Sequence, residues 1–396
     1  MRIGLVTPSW PASVAANGIA TAVAHIADGL KHHGHQITVI PHTGAAPDDP
    51  DVINLPEPRA WTWSEKLIGR FGRNTASIPI RAEQIAQAVN QAIKTRGIEA
   101  LIMEETNGIA GMVQKHVPIP VIVTLHGPIE LYTDFLPEKP DGCVIRTRVK
   151  REAETFRTCR GITSPSKAVL DQMIARYGEP ACPTAIVPNP MPMAAPIPEK
   201  AIRETIRNIL FIGRYDSIKG GDTVLEAFQQ IAEQDPNVRL TFVGSDPGVP
   251  LPGQVLQHMD QALLAYPEAI RNRIDYRGQL DRDAIDTLRM QHGITLIASR
   301  YENFPYAALE ALSCGAPTVA TAVGGVPEIV EDEISGLLVP SGDPEAMAKA
   351  CLRLIANPDL AVRLGAKGRT EVVDRFQPET IAKDVEALVQ QVLNDV

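Results

Sequence analysis

The sequence predicts an α/β protein of two domains, each an open parallel sheet with helices on both faces. Three observations carry this. The chain has 396 residues, too many for one typical core and enough for two of ordinary size. Short β-rich runs alternate with amphipathic helical stretches throughout, the order that builds parallel sheets. The alternation also restarts after a proline-rich stretch near mid-chain, without repeating the first half's sequence.

In the first half, strands are expected at Ile3–Thr7, Gln36–Ile40, Ala100–Glu104, Val121–Leu125 and Gly161–Ser164. Helices such as Ala20–His32 and Glu83–Thr95 lie between them. Val187-Pro188-Asn189-Pro190-Met191-Pro192, running on to Pro198, reads as a linker, because proline removes backbone donors and favours extended chain. The second series of strands is Asn208–Ile212, Arg239–Val243, Ile274–Tyr276, Ile294–Ile297, Thr318–Thr321 and Gly336–Val339, with helices such as Asp222–Gln234 and Glu345–Ala356. Pro378–Leu393 is an amphipathic helix with no strand after it, so it must pack on something already formed. We therefore expect a first domain over 1–187, a linker over 188–200, a second domain over 201–376 and a terminal helix over 377–396.

Hydrophobic residues make up 44% and charged residues 21%, an ordinary soluble balance. No apolar run reaches the roughly 18 residues of a membrane helix, and no secretory signal pattern opens the chain. The expected compartment is the cytoplasm. Cys143, Cys159, Cys182, Cys314 and Cys351 are scattered and include no CxxC pair, which favours buried thiols over disulfides or zinc. The net charge of −9 argues against nucleic-acid binding. That charge is uneven: residues 1–190 hold 19 Lys/Arg to 18 Asp/Glu, and the rest hold 19 to 29. The first half is the better surface for an anion.

Ligands of open parallel sheets bind beyond the carboxyl ends of the strands. After Asn208–Ile212 comes Gly213-Arg214-Tyr215-Asp216-Ser217-Ile218-Lys219-Gly220-Gly221. The glycines permit close backbone approach, and Arg214 and Lys219 on one short loop can meet one anion, as a departing diphosphate requires. Without a ligand, the same loop is an ordinary solvated basic turn. After Ile294–Ile297 comes Glu302-Asn303-Phe304-Pro305-Tyr306-Ala307-Ala308-Leu309-Glu310. Pro305 is suited to opening a helix, whose positive end beside Phe304–Ala307 suits phosphate. Eight helical residues span about 12 Å, so Glu302 and Glu310 cannot share one proton or metal. They could hold two ends of an elongated ligand, a hexose and a ribose, through hydroxyl donors; an arbitrary pair at this spacing would more often be two unrelated surface acids.

These motifs, with Gly315-Ala316-Pro317-Thr318-Val319-Ala320 and Gly324-Gly325-Val326-Pro327-Glu328, resemble the retaining glycosyltransferases of family four. The likeness is dense over 205–345 and thinner before. It implies the GT-B architecture: α/β, two Rossmann-like domains with parallel sheets facing across a cleft, and a C-terminal helix crossing back to the first. By the same resemblance Arg214 and Lys219 would bind the donor diphosphate. Glu310 would take the ribose hydroxyls, and Glu302 the transferred sugar. Gly278-Gln279-Leu280 would hold the nucleobase, with Gly244 as the family's glycine turn there and Gly213 opening the donor-binding loop. His126, in Thr124-Leu125-His126-Gly127, matches the family's cleft histidine, able to donate to a sugar hydroxyl or phosphate. Gly18 matches the loop after the first strand, where the family shows two glycines and this chain shows Asn17-Gly18. Gly34-His35 matches a structural turn.

Double displacement would need a carboxylate beneath the sugar. Glu104-Glu105 ends a strand, but acceptor contact or a helix cap suits it as well. The expected mechanism is same-face departure and attack, with Glu302, His126, Arg214 and Lys219 at the reacting centre. No metal and no cofactor beyond the nucleotide sugar are expected. The acceptor would be a glycan, a lipid-linked molecule or a small molecule. Trp61–Arg73 combines aromatic and basic residues and could make peripheral membrane contact, though an ordinary packed helix explains it too. Arg146–Arg160 is basic and could hold an anionic acceptor or be a solvated helix face. The alternatives are a nucleotide-sugar epimerase on the same fold, a sugar phosphorylase, or a non-catalytic nucleotide-sugar-binding protein. A dehydrogenase would need G-x-G-x-x-G after the first strand, which is missing.

Overall fold

The computed structural model describes residues 1–12, 17–43, 49–60, 62, 73–135, 142–251 and 255–395. They form two compact units. The first holds the residues up to Leu131, those from Gly142 to Pro190, and those from Pro378 on; the second holds Met191–Gln377 with Tyr132–Phe135.

The first unit is built on β1 (Arg2–Ser9), β2 (Gln36–Thr43), β3 (Ala100–Glu104), β4 (Val121–Thr124), β5 (Gly161–Ser164) and β6 (Thr184–Ile186), parallel and ordered β2-β1-β3-β4-β5-β6. β3, β4 and β5 are buried at every position, as expected of strands covered on both faces. One cover comes from the helix Gly18–His32 and the final helix Pro378–Asn394, whose Ile381, Val385, Leu388 and Val389 join Ile3, Leu5 and Val39 in one core. Their crossing depends on Gly29: a Cβ there would sit 2.2 Å from the Pro378 carbonyl oxygen. Glu386 of the final helix receives His33 Nδ1 and His35 Nε2, each at 2.6 Å.

The second unit is built on β7 (Asn208–Ile212), β8 (Arg239–Val243), β11 (Ile274–Tyr276), β12 (Ile294–Ile297), β13 (Thr318–Thr321) and β14 (Leu337–Val339), ordered β11-β8-β7-β12-β13-β14. A small antiparallel pair, β9 (Val249–Leu251) with β10 (Val255–Gln257), stands apart. Phe211 and Phe242 pack at 4.6 Å between centroids in the core of the second unit, beneath the helices Gly221–Gln234 and Pro344–Ala356. From Met191 on, the proline-rich stretch is held along this unit: Met191 N donates to Phe376 O (2.7 Å) and Ile197 N to Cys314 O (2.8 Å).

Eleven strands were expected, and all eleven occur within two or three residues of their expected ends. β6, β9 and β10 were not foreseen. Each is three residues long, and prolines lie in or beside them, at Pro183 and Pro250.

Candidate active site

In the second unit the strand order reverses between β7 and β12, where ligands of such sheets bind. The loops carrying Arg214–Lys219 and Glu302 follow these two strands and flank that point.

Asp216 shapes the β7 loop from inside. It is 4% exposed; Oδ1 accepts from Lys219 N (2.7 Å) and Oδ2 from Arg214 Nε (2.5 Å). Arg214 is thus held by one nitrogen while its side chain stays half exposed. Gly220, at φ +69°, starts the next helix against Ala298, whose carbonyl oxygen a Cβ would meet at 2.0 Å, so only glycine fits. Arg300 ties the two loops together: it pairs with Asp222 through both terminal nitrogens (2.7 and 2.8 Å) and Nη1 donates to Ser217 O (3.0 Å).

Glu302 is buried. Its Oε1 pairs with Lys219 Nζ and accepts from Ser299 Oγ at 2.8 Å. The loop is seated by Gly324-Gly325: Gly325 N donates to Asn303 O (2.9 Å), and Gly324 sits so close that a Cβ would lie 1.7 Å from Glu302 O. Phe304 packs edge-on against Phe376 at 5.5 Å, so its side chain anchors the loop. The helix Tyr306–Ser313 follows Pro305, and no side chain caps its start. Ala307 lies in its first turn, and Glu310 beyond it, paired through Oε2 with Arg289 Nη2 at 2.5 Å. Arg289 is 3% exposed, and its Nε and Nη1 are buried with no partner among the described residues.

At the neighbouring strand ends, Gly244 N donates to Gly278 O (2.8 Å), linking the ends of β8 and β11. A Cβ on Gly244 would lie 2.0 Å from Gly213 O, so Gly213, Gly244 and the Gly278–Leu280 turn form one continuous rim with the β7 loop.

In the first unit, His126 follows β4. Glu105, 2% exposed, accepts from His126 N (2.8 Å) and Gly127 N (2.7 Å), so it fixes this turn. Burial, then the nearby Glu152, raises the Glu105 carboxyl to about 8. Burial lowers His126 to about 4, leaving its ring neutral near pH 7. Gly18 opens the helix Gly18–His32, and Asn17 Oδ1 accepts from Ile19 N (2.9 Å) and Ala20 N (3.4 Å). That carboxamide covers amides an anion would otherwise use.

Two Asp-x-Asp triplets occur. Asp281 of Asp281-Arg282-Asp283 caps a helix through Ala284 N (2.8 Å). In Asp49-Pro50-Asp51, Asp49 accepts from Trp10 Nε1 (2.9 Å). Among the described residues no group of three or more His, Cys, Asp or Glu could hold a metal, and no helix is long and apolar enough to cross a membrane. Trp61–Arg73 lies outside the described residues, apart from Thr62 and the helix start at Arg73. Arg146, Arg148, Lys150, Arg151 and Arg157 lie on the helix Gly142–Thr158.

A family model described as Glycosyltransferase Family 4 matches residues 16–194, and one described as Glycosyl transferases group 1 matches residues 196–371. The chain belongs to the family-four glycosyltransferases. This glycosyltransferase is similar to an uncharacterized glycosyltransferase of Methanocaldococcus jannaschii, 22% identical over 97% of this chain and 96% of that protein. It is 26% identical to a D-inositol 3-phosphate glycosyltransferase of Xylanimonas cellulosilytica, over 63% of this chain and 61% of that one. Among solved structures, sucrose-phosphate synthase from Thermosynechococcus elongatus matches with a TM-score of 0.75 at 22% identity, covering 100% of both chains. Anabaena HepE in complex with UDP-glucose matches at 0.67 and 17%, again over 100% of both. The GT-B fold of two Rossmann-like domains and the family are as the motifs implied.

Arg289, Asp216, Ser299 and Arg300 were not singled out in the sequence. Asp216 lies inside the recognised loop motif. Arg289 gives no sequence signal, because Arg282–Met290 reads as a solvated charged helix.

Proposed function

We propose that this glycosyltransferase is a retaining enzyme that moves a hexose from a nucleotide-diphosphate sugar, UDP- or GDP-linked, to a hydroxyl of a glycan, lipid-linked or small-molecule acceptor. The observation carrying this reading is the pairing of Lys219 with Glu302 at the strand-order reversal, with Arg214 held on the same loop by Asp216. Arg214, restrained by Asp216 yet half exposed, and Lys219 suit a diphosphate whose charge rises as the glycosidic bond breaks. Lys219 then serves both the leaving group and Glu302, which faces the sugar. Glu310 accepts from the ribose hydroxyls. Neutral His126 offers a hydrogen bond to a sugar hydroxyl or phosphate. Departure and attack use the same face, and the diphosphate accepts the acceptor's proton. No divalent ion and no further cofactor takes part. HepE, of the same fold, has been solved with UDP-glucose, which accords with a nucleotide-sugar donor here. The compartment proposed is the cytoplasm, with Trp61–Arg73 as the segment for membrane contact.

The test is incubation with UDP- and GDP-hexoses and proton NMR of the product. An α-linked product from an α-linked donor is expected, without added metal. A β-linked product would overturn the retaining mechanism, and binding without transfer to any acceptor would favour the non-catalytic alternative.

A further inference from the structure

The first unit holds a cavity of about 710 Å³, a volume typical of small-molecule sites. It lies at the carboxyl ends of the strands: His42 stands near the end of β2, Asn107 follows β3, and Ile129 follows β4. Arg81 and Arg148 enter it from the helices Arg73–Arg96 and Gly142–Thr158.

Three features define what fits. Arg81 and Arg148 line the cavity and, among the described residues, no Asp or Glu does. Arg81 has no ion-pair partner among the described residues; its Nη1 donates only to the His42 carbonyl oxygen at 3.3 Å. A cation held beside a cavity without a counter-ion favours an anionic occupant. Second, the walls are built. Glu152, 3% exposed, accepts from Arg148 Nε (2.6 Å), Asn107 N (3.0 Å) and Ile129 N (3.0 Å). One buried carboxylate thus fixes three lining segments, Arg148 among them through Nε. Asn107 holds φ +60° there, a strained conformation of the kind found where ligands bind. Third, His42 lines the cavity, and its Nε2 is buried with no hydrogen-bond partner among the described residues.

We propose that this cavity binds the anionic group, a phosphate or carboxylate, of a hydroxylated acceptor. The inference rests on the transferase reading, since it assigns that reaction's acceptor class. Planar guanidinium groups match both anions in geometry. The same group could arrive on a free polyol or sugar phosphate, or on a lipid headgroup.

The full chain is titrated by calorimetry with glycerol 3-phosphate, glucose 6-phosphate and malate, beside glycerol and glucose. Vesicles of phosphatidylcholine with and without phosphatidylinositol form a second arm, and UDP and GDP a third. Anions should bind at least about tenfold more tightly than their uncharged counterparts, and Arg81→Met, which breaks no ion pair, should weaken them by about tenfold or more with nucleotide affinity unchanged. Arg148→Met is paired with Glu152→Gln, so that no bare carboxylate is left buried. Binding of the free anions alone assigns a soluble acceptor; vesicle binding lost in Arg81→Met assigns a headgroup. Equal binding of anions and neutral compounds, or unaltered anion binding in Arg81→Met, overturns the proposal. Failure of both nucleotides to bind, with anion binding intact, overturns the transferase reading instead.

Discussion

The two members of the Arg289–Glu310 pair should respond very differently to removal. Arg289 is 3% exposed and Glu310 23%; Arg289 Nε and Nη1 are buried and unpartnered. Glu310→Ala leaves a buried guanidinium with no counter-ion, a loss of about 3–5 kcal/mol. Arg289→Met substitutes an unbranched apolar chain and leaves a carboxylate that water reaches, so about 1 kcal/mol or less is lost. In a domain of this size each kcal/mol shifts Tm by roughly 2–4 °C. Glu310→Ala should therefore lower Tm by roughly 6–20 °C, and Arg289→Met by under about 4 °C. Function should show the opposite economy: both variants lose the preference for UDP over 2′-deoxy-UDP, because Arg289 is what points the carboxylate. A hydroxyl bonded to a carboxylate contributes about 1.5–3 kcal/mol, or roughly 10–150-fold in that ratio. Differential scanning fluorimetry gives the Tm values and calorimetry the ratio. Arg289→Met as unstable as Glu310→Ala, with the ribose preference retained, would refute this reasoning.

Lys219→Met should weaken nucleoside diphosphate binding by about 1.5–3 kcal/mol and also lower Tm, since it leaves the buried Glu302 carboxylate with Ser299 Oγ as a donor but without its paired cation; calorimetry reads the binding directly. Gly324→Ala combines φ +50° with a Cβ 1.7 Å from Glu302 O, so we expect a loss of about 1–3 kcal/mol in urea unfolding and a fall in kcat larger than the change in KM. Burial, then Arg81, lowers His42 from 6.5 to about 4. Between those values the unfolded chain binds a proton that the folded chain refuses, so stability falls as pH drops through that window, by up to about 3 kcal/mol. His42→Leu should flatten that part of the stability–pH curve, and an unchanged slope would contradict the assignment.

The fold was legible because its strands are short β-branched runs between helices, and parallel pairing then follows. The donor loops were legible because glycines, cations and acids recur there at fixed spacing. Arg289 was not, since a buried arginine looks like a surface one until its partner, 21 residues away, is placed. The cavity in the first unit was equally hidden: His42, Asn107 and Arg148 come together only through the strand order and the Glu152 carboxylate. The packing of the proline-rich stretch was hidden too, because prolines that favour extended chain also suit a segment lying along a domain, as Met191 and Ile197 do.

The most direct test of the account is a calorimetric titration of UDP, GDP, ADP and dTDP against the wild-type chain, Lys219→Ala and Glu310→Ala. The account predicts that one of UDP and GDP binds, and that each variant loses about tenfold or more in affinity. Binding of no nucleotide, or binding unaltered in both variants, would contradict it.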